Sequence, residues 1–376
     1  MIGLTVAAPA RAAADSLTLA ASRTNLEYGQ RTTLSGDLSS PSPGGQPVSI
    51  RDAATNAELA TTTTDPVGHF AVELQPAANV TVVAMSGLTQ SPPVTLRVTP
   101  RLTVQLSGVR LFETADVSGR LEPAHPGDHV KVTLLRGDRV VGRVDAPLRD
   151  GGTEYAAELD VLRSGRYRAR VAFDDPDHEE AHATSETRKV GTPPRLRQGS
   201  SGRWVLALEQ RLRDLQYHVP KPNRGFDHRT SDAVLAFHKV QGMGRSRTVT
   251  KASWNRLAAP RTPNPRSRAK NVHIEIDQTK QVLYVVRQGE IDDIVHTSTG
   301  AGGATRDGVF QVHRKIAGFS PNRLYYPSYF DGLRAVHGWP DVPPTNASHG
   351  CARVPYWTAK FLFRIMGYGM EVRVYH

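Results

Sequence analysis

The sequence predicts a multidomain, mainly β chain: two tandem β-sandwiches, a small three-helix module and a β-rich C-terminal domain. Three observations predict it. The chain is 376 residues long, too long for one ordinary core. Short alternating apolar/polar runs recur between turn clusters up to about residue 191, and one segment of that stretch repeats. Past Thr192-Pro193-Pro194 the apolar period changes from two to about 3.6, and strand-like runs resume after a Pro/Arg-rich stretch.

Residues 1–15 are apolar and then small, with Ala-x-Ala sites near Ala12 and Ala14 but no basic leader. They read as the remnant of a secretory signal, so export to the cell envelope is expected. In 16–99, Leu17-Thr18-Leu19, Thr33-Leu34-Ser35-Gly36, Val48-Ser49-Ile50, His69–Val72 and Val80–Val83 are strand candidates, separated by turns at Ser40–Gly45 and Asp65–Gly68. In 100–191, Val117-Ser118-Gly119-Arg120-Leu121 repeats Leu34-Ser35-Gly36-Asp37-Leu38, and Gly127 falls opposite Gly44 at the same offset. By this pattern both segments resemble bacterial immunoglobulin-like domains, whose simplest role here is a spacer.

His178-Glu179-Glu180-Ala181-His182 matches a zinc-protease pattern that functions only on a helix. It follows Asp174-Asp175-Pro176-Asp177 and runs into Ala183-Thr184-Ser185, so a loop between strands is expected, with no metal and no cofactor.

In 192–259, Val205, Leu208, Leu212 and Leu215 line one helical face, and Ala233, Val234 and Phe237 another. The order Leu196-Arg197-Gln198-Gly199, Val205–Glu209, Tyr217, Gly225-Phe226, Phe237, Gly242-Met243, Trp254 and Leu257 resembles the peptidoglycan-binding domain-1 family. Glu209 and His238 stand where that family has glutamine, and Arg245-Ser246-Arg247 replaces its Asp-Gly turn; a helical spacer is the other reading. Residues 260–270 form a Pro/Arg linker, expected to be stiff and extended.

The net charge of +11 is concentrated. Residues 196–270 hold sixteen Lys/Arg against four acids; the remainder is nearly neutral. Aromatic stacking platforms and groove-reading motifs are absent, which argues against nucleic acid and favours anionic wall polymers. No run of eighteen apolar residues exists, so no transmembrane segment is expected.

The only cysteine, Cys351, lies in Ser348-His349-Gly350-Cys351-Ala352-Arg353, downstream of His337-Gly338-Trp339. A thiol near an imidazole supports covalent acyl transfer, and a glycine allows backbone N–H groups to converge on an oxyanion. An inert buried cysteine and a zinc site are the bland alternatives; a fourth zinc ligand at a sensible spacing is missing.

This pattern resembles the signature of the L,D-transpeptidase (YkuD-type) family. Ser298-Thr299-Gly300, Thr305–Phe310, Tyr325-Tyr326-Pro327 and Arg353–Trp357 extend the resemblance over 271–376, with Arg306 where proline is usual. It implies a thioester at Cys351, His337 as base with the Gly338 carbonyl fixing its tautomer, and oxyanion donors at the N–H groups of His349, Gly350 and Cys351. Ser348 and His349 would shape the loop, with His349 as base the alternative. Arg353 would pair with a stem carboxylate or lock the loop, and Tyr326 and Trp339 would wall the groove. The implied partners are peptidoglycan stem peptides and glycan. An L,D-carboxypeptidase with the same residues, or a non-catalytic wall-binding protein, is the competing reading.

Overall fold

The structure, a computed structural model, describes residues 15–376; the signal-like segment therefore lies outside the described residues except for Asp15. The chain is multidomain and mainly β, and its contacts divide it into two compact units. The first runs to Asp160 and includes Gly165–Lys189; the second comprises Val161–Ser164 and Val190–His376.

The first unit contains two pairs of sheets. Thr32–Ser39 pairs with His69–Leu74, while Pro47–Asp52 and Val80–Ser86 pair in a facing sheet. Leu34, Phe70, Ile50, Val82 and Leu96 meet in the core between them. In the second pair, Thr114–Glu122 joins Glu154–Asp160, and His129–Arg136 joins Gly165–Phe173.

The repeated segment has a physical cause. A side chain on Gly36 would collide with the Thr18 carbonyl and the Phe70 ring; one on Gly119 would meet the Thr103 carbonyl and the Tyr155 hydroxyl. Both positions therefore need glycine so that the neighbouring backbone can approach. That neighbour is held alike in both: the amides of Asp37 and Arg120 donate to Thr18 Oγ1 at 2.8 Å and Thr103 Oγ1 at 2.9 Å.

In the second unit three helices come first: α1 (Arg203–Asp214), α2 (His228–Val240) and α3 (Lys251–Ala258). Asp227 caps α2 through its side chain, and Thr250 with Ser253 forms a capping box on α3. Glu209, buried on α1, accepts from the Asn223 amide at 2.5 Å and from the Thr230 hydroxyl. His238 bonds the Ser246 carbonyl at 2.6 Å and Ser253 Oγ at 2.8 Å. The two departures from glutamine thus tie the module together.

Nine strands follow: β1 (His273–Asp277), β2 (Val282–Arg287), β3 (Glu290–His296), β4 (Gly308–Gln311), β5 (Arg314–Lys315), β6 (Tyr325–Asp331), β7 (Arg334–Trp339), β8 (Ala352–Pro355) and, after α4 (Tyr356–Ile365), β9 (Glu371–Tyr375). One sheet has the order β3-β2-β1-β9-β4, the other β5-β6-β7-β8. Ile274, Leu283, Val285, Phe330, Val336, Val354, Leu362 and Val374 fill the core between the sheets and α4.

The helical module is docked on this domain. His218 Nδ1 lies 2.7 Å from Asp293, Trp357 Nε1 donates to Asp232 at 3.1 Å, and Arg245 and Arg247 donate to the Pro344, Thr279 and Val342 carbonyls. The arginines that replace the expected turn are spent here. Residues 260–270 depart from the expected extended linker: the Arg266 and Ser267 amides donate to the buried Glu275 carboxylate, and Arg261 exchanges two hydrogen bonds with Gln241. Fixed acceptors overcome the like-charge repulsion that favours extension. No helix among the described residues is long and apolar enough to cross a membrane.

Candidate active site

Cys351 immediately precedes β8, and His337 lies on β7. These strands are parallel neighbours, with Val336 opposite Ala352 and His337 opposite Arg353. Side chains alternate along a strand, so His337, Arg353 and the residue two before it, Cys351, share one face. Carried one residue past the paired strand, that alternation puts Cys351 diagonal to His337, and Cys351 Sγ lies 3.9 Å from the Leu333 carbonyl in the turn before β7.

His337 is 2 % exposed, and its Nδ1–H donates to the Gly338 carbonyl at 2.9 Å. That bond fixes the tautomer and leaves Nε2 with its lone pair. Burial pushes the His337 pKa down to about 4, the nearby Arg353 adding to the effect, so the ring is neutral at pH 7. Burial likewise raises the half-buried Cys351 thiol above its ordinary value near 9, partly offset by a backbone hydrogen bond from Ala335 and by Arg353 and Arg334. The resting pair is a neutral thiol with a neutral imidazole.

The loop before Cys351 is held from several sides. The Ala347 and Ser348 amides donate to the Thr299 carbonyl at 2.9 and 3.0 Å, and the Ala301 amide donates to the Ser348 carbonyl at 2.9 Å. Ser348 Oγ donates to the Cys351 carbonyl at 2.6 Å and accepts from the Gly350 amide at 3.0 Å. Gly350 has φ +130°, and a side chain there would collide with Arg334 Nε and the Ala304 carbonyl. Glycine is required by both conformation and space. With its N–H committed to Ser348, Gly350 leaves His349 and Cys351 as the backbone donors able to face a substrate oxygen. The His349 side chain is exposed.

Arg353 lies with its guanidinium carbon 4.4 Å from the Trp339 ring centroid, and Trp339 meets His337 edge-on at 5.8 Å. Among the described residues no carboxylate lies within ion-pair distance of Arg353; its Nη1 donates to the Ala347 carbonyl at 3.3 Å, and its buried Nε has no hydrogen-bond partner. The half-buried Tyr326 ring packs edge-on against Tyr325 and Phe363, beside Lys360. Gly338 packs where a side chain would come within 2.9 Å of Ala359, Tyr325 and Tyr356.

Sequence reasoning missed Thr305, Asp331 and Arg334 as supports of the loop. Thr305 Oγ1 donates to the Gly350 carbonyl at 2.8 Å and accepts from the Gly300 amide at 2.7 Å. Arg334 spans the Ala304 carbonyl at 2.8 Å and Asp331 at 2.9 Å, and Asp331 is also paired with Arg306. The unusual Arg306 was the available signal, since a cation in place of proline needs a partner.

Residues 271–374 match the family model of the L,D-transpeptidase catalytic domain (YkuD). Among solved structures, the chain is similar to an L,D-transpeptidase from Xylanimonas cellulosilytica: 33 % identity, 49 % of this chain and 99 % of that one, TM-score 0.47. It is also similar to an L,D-transpeptidase from Stackebrandtia nassauensis, at 23 % identity over 48 % of this chain and 95 % of that one, TM-score 0.31. A third, a fused Zn-dependent amidase/peptidase/peptidoglycan-binding domain-containing protein from Clostridium acetobutylicum, is 19 % identical over 49 % of this chain and 100 % of that one, TM-score 0.26. No curated protein matches the chain.

Proposed function

Since the chain belongs to the L,D-transpeptidase (YkuD) family, we propose that it is an exported cysteine acyltransferase that cross-links peptidoglycan stem peptides. The placement of Cys351 and His337 on one face of paired strands, with the His337 tautomer fixed by Gly338, carries this reading. On substrate binding, His337 Nε2 takes the thiol proton as sulfur attacks the stem carbonyl. The amides of His349 and Cys351 face the developing oxyanion. The tetrahedral adduct collapses to a thioester as the leaving amine takes the proton back. An acceptor amine then attacks the thioester, returning a proton through His337 to the thiol. Arg353, held on Trp339 without an acidic partner, suits a stem carboxylate.

The docked helical module, with its excess of Lys and Arg, supports contact with glycan and anionic wall polymers, and the sandwiches would set reach. Water in place of the acceptor amine would make the same site an L,D-carboxypeptidase.

Intact-mass measurement after incubation with a tetrapeptide-stem muropeptide tests the proposal. A transient adduct on the wild type, absent from Cys351→Ala and discharged by an added amine, is expected. Discharge to water alone assigns the hydrolase, and an adduct persisting on Cys351→Ala overturns the mechanism.

A further inference from the structure

His178, the first residue of the protease-like motif, is brought beside two residues outside that motif. Its Nδ1 lies 3.0 Å from both oxygens of Asp175, and His125 Nε2 lies 2.7 Å from Asp175 Oδ2. The three donor atoms lie within 4.8 Å of one another, and all three side chains are nearly buried. His182, the motif's other histidine, sits on the strand Ala181–Thr184, exposed beside Glu180.

Each ring's outer nitrogen is already used. His125 Nδ1 is 2.8 Å from the Pro123 carbonyl, and His178 Nε2 is 3.0 Å from the Ala77 carbonyl. A carbonyl only accepts, so both outer nitrogens carry protons. His125 Nε2 and His178 Nδ1 then both face one carboxylate, at separations a bound cation would bridge. Metal-binding histidines characteristically hand their second N–H to a carbonyl in this way.

We propose that His125 Nε2, His178 Nδ1 and the Asp175 carboxylate form a three-ligand site for a borderline transition-metal dication of the zinc type, with water completing the fourth position. Two imidazole nitrogens and one carboxylate suit zinc over the hard, oxygen-seeking cations. With zinc bonds of about 2.0–2.1 Å, tetrahedral ligands stand roughly 3.3 Å apart, so the two imidazole–carboxylate separations need to open by only tenths of an ångström. The surroundings are built: Phe173 packs on His125 at 4.6 Å, and the His125 amide donates to the Gly152 carbonyl at 2.9 Å. Gly152 approaches so closely that a side chain there would meet the His125 backbone. Asp175 also accepts from the Asp177 amide at 3.2 Å.

The site spans the joint within the first unit. Ala77, beyond His69–Leu74, meets residues of the second pair of sheets, and next to it the Asn79 amide donates to the Asp177 carbonyl at 2.8 Å. A bound ion would hold the His178 ring in place against the Ala77 carbonyl of the first pair.

Equilibrium dialysis of the full chain against micromolar zinc at neutral pH, with bound metal quantified, reads the site directly. One ion per chain is expected, retained by Cys351→Ala and by His182→Ala, while Asp175→Asn and His178→Gln weaken binding by at least about 10-fold. Zinc should raise the thermal midpoint of the wild type but not of Asp175→Asn, a near-isosteric change that keeps the fold. Failure of the wild type to bind, undiminished binding by both Asp175→Asn and His178→Gln, or loss in His182→Ala or Cys351→Ala overturns the proposal.

Discussion

Lys239 Nζ, on α2, lies 2.7 Å from His296 Nδ1 at the end of β3. It also donates to the Gln281 carbonyl at 2.8 Å and the Thr297 carbonyl at 3.0 Å. His296 in turn reaches the Val342 carbonyl through Nε2 at 3.1 Å. The helical module is thereby fastened to Thr297, whose hydroxyl donates to the Arg353 carbonyl at 2.8 Å beside the catalytic strand.

Lys239→Met keeps the aliphatic packing but strands the Thr297 carbonyl and His296 Nδ1, while the Gln281 carbonyl keeps the Thr297 amide at 3.2 Å. We expect a loss of about 2 kcal/mol or more, since each orphaned group costs about 1–3 kcal/mol. Urea denaturation of the second unit checks this; an unchanged midpoint would mean that the module is held by other contacts.

The pH profile follows from the site's burial. With His337 pushed down to about 4 and Cys351 raised above its ordinary value, the competent neutral pair persists across a broad neutral range. Acylation should fall on the acid side near pH 4 rather than near the ordinary histidine value of about 6.5. Iodoacetamide, which reads thiolate, should react slowly at pH 7 and accelerate at alkaline pH. A fast plateau reaching down to acid pH would instead reveal a preformed thiolate–imidazolium pair. The same depressed pKa gives a stability term fully present above about pH 6.5 and lost as pH falls toward 4, because the unfolded chain takes up the proton first.

Arg353→Ala should lower kcat/KM for a muropeptide by roughly 10- to 100-fold, the range of a charged hydrogen bond. Iodoacetamide reactivity of Cys351 should fall by a smaller factor, since Arg353 is only one of the lesser groups holding the thiol down. Arg353→Lys keeps the charge but not the flat stack on Trp339 and should recover only part of the loss. Equal losses in both readouts would assign Arg353 to holding the loop.

The legible parts of the sequence were those governed by local chemistry or by repetition. Gly36 and Gly119 recur because a neighbouring backbone crosses each, and the face of Val205, Leu208 and Leu212 follows from helical period. The Cys351 loop stood out because its spacing is chemically specific. What could not be read depends on distant partners. Nothing local to Lys239 points to Gln281, nothing near Thr305 points to Gly350, and the Pro/Arg stretch folds back only because Glu275 and Gln241 offer acceptors. Nothing local to Tyr326 points to Phe363 of α4, against which its ring packs.

Thr305→Val separates loop geometry from the chemistry of the thiol. The substitution keeps the shape but removes the hydroxyl that joins the Gly350 carbonyl to the Gly300 amide, two buried backbone groups. A destabilisation of about 1–3 kcal/mol is expected from the orphaned groups. Relaxation of Gly350 should also move the His349 and Cys351 amides away from the oxyanion, and one lost donor costs about 2.7–4 kcal/mol in the transition state. Acylation by a muropeptide should therefore slow by roughly 100- to 1,000-fold. Alkylation by iodoacetamide, which develops no oxyanion, should stay near the wild-type rate. A parallel loss in both reactions would place the role of Thr305 in exposing the sulfur and remove it from oxyanion geometry.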